Sequence, residues 1–202
     1  MKIVSFCITF YFTLLFSTEV FADRIMILGD SLSSAHDIPW ESGWVQLMAE
    51  ELEGRHEVIN ASVSGEASGG GLARIQALLE THNPDWVIIE LGGNDGLRGY
   101  PLNVIESNLT QIGRVVKRWG ARPVYFGIRI PPNYVDRYSN SFADLFPTVS
   151  QKVQAPFLNL HQEKIATNPE MMLEDGIHPS EAAQPIIKDY VLDFLLPLLE
   201  SR

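Results

Sequence analysis

Cysteine is almost missing from this 202-residue chain: the single one, Cys7, lies in an apolar stretch at the N-terminus. A disulfide framework, a cysteine nucleophile and a thiolate metal site are thereby excluded from the rest of the sequence. Positive charge is also scarce. Lys and Arg number 15 against 25 Asp and Glu, a formal net charge of −10 that repels phosphate backbones, so no nucleic-acid partner is expected. Several catalytic patterns are absent too. There is no Gly-x-Ser-x-Gly elbow, no phosphate-binding P-loop and no dinucleotide fingerprint. His56-Glu57 is followed by Val58, Ile59 and Asn60, which denies the zincin pattern its second histidine. Without a coherent ligand spacing, neither a metal nor a cofactor is expected.

Long apolar runs are missing as well. Ile3 to Phe16 is mostly apolar but contains Ser5, Cys7 and Thr9, and it falls short of the ~20 residues a spanning helix needs. Preceded by Lys2 and followed by Val20-Phe21-Ala22, it reads as a secretory signal peptide cleaved before Asp23. No small-residue run stands directly ahead of Cys7, so no lipid anchor is expected. Residues 1–22 are thus assigned to the signal. Residues 23–202 form one domain, a soluble periplasmic or secreted monomer with no stable membrane insertion.

What is present is a globular composition, 46% hydrophobic and 20% charged, in an alternation of strand and helix patterns. Strands are predicted over 24–28, 57–60, 86–91, 123–128 and 157–160. Helices are predicted over 44–52, 72–80, 104–119, 142–153 and 182–199. This alternation implies an α/β fold, a five-stranded parallel sheet in flavodoxin-like order covered on both faces as an α/β/α sandwich. Ligands of such sheets bind beyond the carboxyl ends of the strands, which directs attention to the turns there.

Four of those turns carry chemistry. "MILGDSLSSAHD" ends an apolar run in Gly29-Asp30-Ser31. By itself this is an ordinary turn, but a serine hydroxyl served by a general base is a nucleophile. "EDGIHPS" places Asp175 three residues before His178, a spacing that lets a carboxylate hold Nδ1 and leave Nε2 facing a serine, although the same residues suit a helix-entry turn. "LGGNDGLRGY" sets the uncharged amide of Asn94 beside two glycines, a fitting oxyanion donor. "NASVSGEASGGG" offers Gly65, whose N–H no side chain shields. The other histidines have plainer readings: His36 solvates a loop, and His82 and His161 serve helix ends and surface.

Taken together, these blocks resemble the SGNH or GDSL hydrolases, with Ser31, Gly65, Asn94 and His178 in order and Asp175 as the acid. "INASVSGE", "GLARIQALL", "ELGGNDGLRG", "RIPPNY" and "DGIHPS" are similar to the secreted bacterial branch of that family called thioesterase I, lysophospholipase L1 or arylesterase. The resemblance covers nearly all of the chain after residue 22. It implies cofactor-free ester and thioester hydrolysis through an acyl-enzyme, with Ser31, Gly65 and Asn94 forming the oxyanion hole. It also implies a mobile loop carrying Leu97 and Tyr100, with Ile130 and Tyr134 on the facing wall, to bind the acyl group. One departure is "SAHDIPWESGW" after the serine, more polar and acidic than the family leads one to expect and bearing on substrate entry. The expected substrate is a small acyl ester or a lysophospholipid. The alternative is an O-deacetylase of polysaccharide within the same family.

Overall fold

In the computed structural model, which describes residues 22–130, 136–160 and 163–201, all five runs read as strands form one parallel sheet. The strands are β1 (Arg24–Gly29), β2 (Glu57–Asn60), β3 (Trp86–Glu90), β4 (Arg122–Gly127) and β5 (Phe157–Asn159), in the order β2-β1-β3-β4-β5. Side chains alternate along each strand, and here both faces are buried, as a parallel sheet covered by helices requires. Met26, Leu28, Val87, Ile89 and Tyr125 point into one core. Ile25, Ile27, Trp86, Ile88 and Val124 point into the other.

The first core is closed by α2 (Ser68–His82), α4 (Leu102–Trp119) and α5 (Asp136–Val153), the second by α1 (Trp44–Glu51), the short α6 (Glu163–Ala166) and α7 (Gln184–Glu200). On α4 the buried residues Ile105, Leu109, Ile112 and Val116 recur every three or four positions, the stripe that makes this segment a helix on a sheet. Packing beside it is close. The Tyr125 hydroxyl donates to the Leu109 carbonyl at 2.8 Å, passing Gly113 where a Cβ would lie 2.0 Å from the phenol oxygen.

Three elements depart from expectation. Helix α2 starts at Ser68 rather than Leu72, although Gly69 to Gly71 are poor helix formers. Its start is anchored because the buried Asp95 carboxylate accepts from the Ser68 N–H at 2.7 Å and from its hydroxyl at 2.6 Å. Helix α5 starts at Asp136, six residues before the apolar stripe that begins at Phe142. The glycine-rich turn after β3 winds into a short helix, α3 (Gly93–Leu97), entered through Gly92 at φ 114°. No helix among the described residues is long and apolar enough to cross a membrane.

Candidate active site

Strand order reverses between β1 and β3, and the site lies at the carboxyl edge there. The parallel register sets Gly29 beside Glu90. A Cβ at Gly29 would come within 2.8 Å of both Glu90 Oε2 and Ser62 Oγ, so the chain can pass this point only as glycine. Glu90 Oε2 accepts from the Asp30 N–H at 3.2 Å and from the Ser33 hydroxyl at 2.7 Å, which pins the turn carrying Ser31. Asp30 in turn accepts from the Leu32 N–H and, through its other oxygen, from the Asn94 side-chain amide, both at 3.1 Å. Both carboxyls are buried. Burial lifts Asp30 to about 6, and burial together with the neighbouring Asp30 charge lifts Glu90 well above the carboxylate range.

The histidine that faces Ser31 comes from the other end of the chain. The loop between the short 3₁₀ turn Pro169–Met171 and α7 is tied across its neck by a bridge between Met172 and Pro179 and by the Leu173 N–H to His178 carbonyl bond of 2.8 Å. Asp175 Oδ1 accepts from the N–H groups of Ile177 (2.8 Å) and His178 (3.0 Å), while Oδ2 stands 2.5 Å from His178 Nδ1. One carboxylate thus closes the turn and orients the imidazole, while the helix that follows is capped by neither Asp175 nor Ser180. Burial pushes the Asp175 carboxyl up, but these hydrogen bonds outweigh it and hold the group down to about 2. Held by its Nδ1–H, the imidazole turns Nε2 toward Ser31 Oγ at 2.8 Å.

Around this pair lies an open cleft whose wall includes Ser31, Asn94, His178, Leu97 and Ile130. Gly65, at φ +78°, is exposed outside that wall, and its carbonyl accepts from Arg98 Nη2 at 3.1 Å. Tyr100 does not line the cleft: it is 40% exposed, and its carbonyl accepts from the Tyr138 hydroxyl at 2.9 Å. Tyr134 and His161 lie outside the described residues. The His82 carbonyl, at the end of α2, accepts from Arg24.

Sequence reasoning missed two features. The Asp30–Glu90 pair was signalled only by an acid ending the otherwise apolar strand "WVIIE". His36, expected to solvate a loop, stands with its ring centroid 4.4 Å from that of His178. Left-handed Ala35 (φ 57°) and Asp37 (φ 53°) bracket it and fold the loop back over the site; aspartate is at home in that region, but alanine gives no sign of it.

The sequence profile of the GDSL-like Lipase/Acylhydrolase family matches residues 27–185. The chain is 43% identical over 178 residues to an arylesterase of Vibrio mimicus, covering 87% of this chain and 89% of that one. It is 42% identical over 178 residues to thioesterase 1/protease 1/lysophospholipase L1 of Escherichia coli (strain K12), covering 88% and 86%. Among solved structures, the psychrotrophic esterase EstA of Pseudoalteromonas sp., inhibited by monoethylphosphonate, superposes with a TM-score of 0.85 at 40% identity, covering 89% of this chain and 100% of that one. A profile spanning both the Ser31 turn and the His178 loop, with relatives of this identity over nearly their whole length, places the chain in the GDSL-like lipase/acylhydrolase family, and it is an ester hydrolase.

Proposed function

We propose that the chain hydrolyses acyl esters and thioesters, including lysophospholipids, through a Ser31–His178–Asp175 triad. The observation that carries this is the unbroken line from Asp175 through His178 to Ser31, with contacts of 2.5 and 2.8 Å. His178 Nε2 takes the hydroxyl proton as Ser31 Oγ bonds to the acyl carbon, and Asp175 stabilises the imidazolium. The carbonyl oxygen, now negative, is met by the N–H groups of Ser31 and Gly65 and by the Asn94 amide, which Asp30 holds in place. Collapse expels the alcohol or thiol with the proton from His178. Water, deprotonated by the same nitrogen, then releases the acid and frees Ser31.

Leu97 and Ile130 supply the apolar wall for the acyl chain. Each methylene buried there is worth ~0.8 kcal/mol, roughly fourfold in kcat/KM until the cleft is full. The test joins Ser31→Ala with an ester series from acetyl to palmitoyl. The variant should fold and lose turnover, and a phosphonate should label Ser31 alone. Octanoyl esters should exceed acetyl esters, and Leu97→Ser should flatten that preference. A folded Ser31→Ala that still turns over would refute the triad. Best activity on acetyl esters would favour the O-deacetylase reading instead.

A secreted or periplasmic location fits the N-terminal sequence, and among the described residues Ala22 is exposed while Asp23 is buried. Mass spectrometry of the exported product should find Asp23 as its first residue.

A further inference from the structure

No spacing in the sequence marks a metal site, but the fold assembles one against the base. We propose that His36, His178 and Asp175 form an inhibitory site for a borderline transition-metal dication such as Zn²⁺, which stops the enzyme by capturing its general base. The inference rests on the triad reading above. One ligand atom from each of the three residues lies within 4.8 Å of the others. On a tetrahedral zinc ion, with bonds of ~2.0–2.2 Å, ligand atoms sit about 3.3 Å apart, so a pair at the outer limit of that spacing must close by roughly an ångström or more, whereas His178 Nδ1 and Asp175 Oδ2, now 2.5 Å apart, must part to admit the ion. All three stand on loops, the two imidazoles half-buried and Asp175 exposed, so the ion can enter from solvent.

The donor set is that of a zinc site rather than a calcium or magnesium site, since two imidazoles and one carboxylate suit a borderline ion while hard cations take oxygen alone. Local charge helps. Asp37 Oδ2 is 3.5 Å from His36 Nε2, and the chain as a whole carries a formal −10. His36 Nδ1 is 3.2 Å from Ser64 Oγ, a neutral partner that leaves the ring free to ligate.

Capture of the base follows from proton bookkeeping. Neutral His178 has one ring proton and one lone pair, and catalysis needs the lone pair on Nε2, facing Ser31 Oγ at 2.8 Å. An ion that Asp175 also holds sits at Nδ1, the edge of the ring that Asp175 faces, and there it drives the ring proton from Nδ1 to Nε2. No proton is lost to solvent, and Nε2 can no longer accept the proton of Ser31.

The experiment titrates Zn²⁺ into the full chain, following nitrophenyl butyrate hydrolysis and binding heat in parallel. Hydrolysis should fall as one ion binds per chain, recover with EDTA and ignore Mg²⁺. His36→Gln and His36→Asn, each measured against its own metal-free rate, should raise the half-inhibitory Zn²⁺ concentration roughly tenfold or more, as loss of one of three ligands demands. Ser31→Ala should still bind the ion. Equal inhibition of the parent and both His36 variants, inhibition by Mg²⁺ as strong as by Zn²⁺, or no inhibition at millimolar Zn²⁺ would each overturn the proposal. A failed triad shows itself separately, as turnover by Ser31→Ala, and the binding heats still decide the metal site.

Discussion

Asp30→Asn separates what the turn under Ser31 does for stability from what it does for the reaction. Asp30 is 2% exposed, and burial lifts its carboxyl from 3.8 to about 6. Between those values the folded chain binds more protons than the unfolded one, so stability falls as pH rises through the window and stays lower above it. For this one group the loss between pH 4 and pH 8 is roughly 2–2.5 kcal/mol. Asparagine does not titrate and removes that loss. Its oxygen can still accept from the Leu32 N–H, but its amino group cannot accept from Asn94, which costs ~0.5–1.5 kcal/mol at every pH. The variant should therefore be slightly less stable than the parent at pH 4 and about 1–2 kcal/mol more stable at pH 8, read by urea unfolding. Relief of the raised Glu90 carboxyl, which the Asp30 charge helps to lift, acts in the same direction. Activity should move the other way, because Asn94 loses its anchor. Part of an oxyanion donor worth ~2.7–4 kcal/mol is then lost, and kcat should drop by roughly 10–10². A variant that gains no relative stability between pH 4 and pH 8 refutes the burial argument, and an unchanged kcat refutes the role of Asp30 in aiming Asn94.

Asn94→Ala removes the donor altogether, so kcat should fall by roughly 10²–10³ with KM little changed; an unaltered kcat would assign Asn94 to the turn alone. Gly113→Ala should destabilise the chain by about 1–3 kcal/mol although alanine is the better helix former, because the new methyl evicts the Tyr125 hydroxyl from its bond to Leu109. Thermal unfolding of Gly113→Ala at or above the parent midpoint would contradict that packing.

The sheet was legible because its strands are apolar and β-branched on both faces, a pattern that "WVIIE" and "PVYFG" display without help from tertiary context. Helix starts were less so. Ser68 to Gly71 reads as a loop on propensity, and only a carboxylate 27 residues away, Asp95, turns it into a helix start. Ser31, Asp175 and His178, which the fold brings together, could be picked out because each stands in a short block whose residue types suit the chemistry proposed for it. His36 could not, since its approach to His178 depends on two left-handed residues rather than on any pattern. Tyr100 was singled out for its aromatic ring, whereas among the described residues its backbone carbonyl makes the contact with Tyr138, as acceptor.

The contact between Ser31 and His178 joins residues 147 positions apart, and the loop holding Asp175 and His178 hangs from α7. That helix is itself held by α1, where the Trp44 N–H donates to Gln184 at 3.1 Å. In the proposed triad, acid and base therefore arrive together, and late. A chain emerging N-terminus first carries Ser31 long before Asp175 and His178 exist to act on it, so under that proposal hydrolytic competence waits for the last helix to dock.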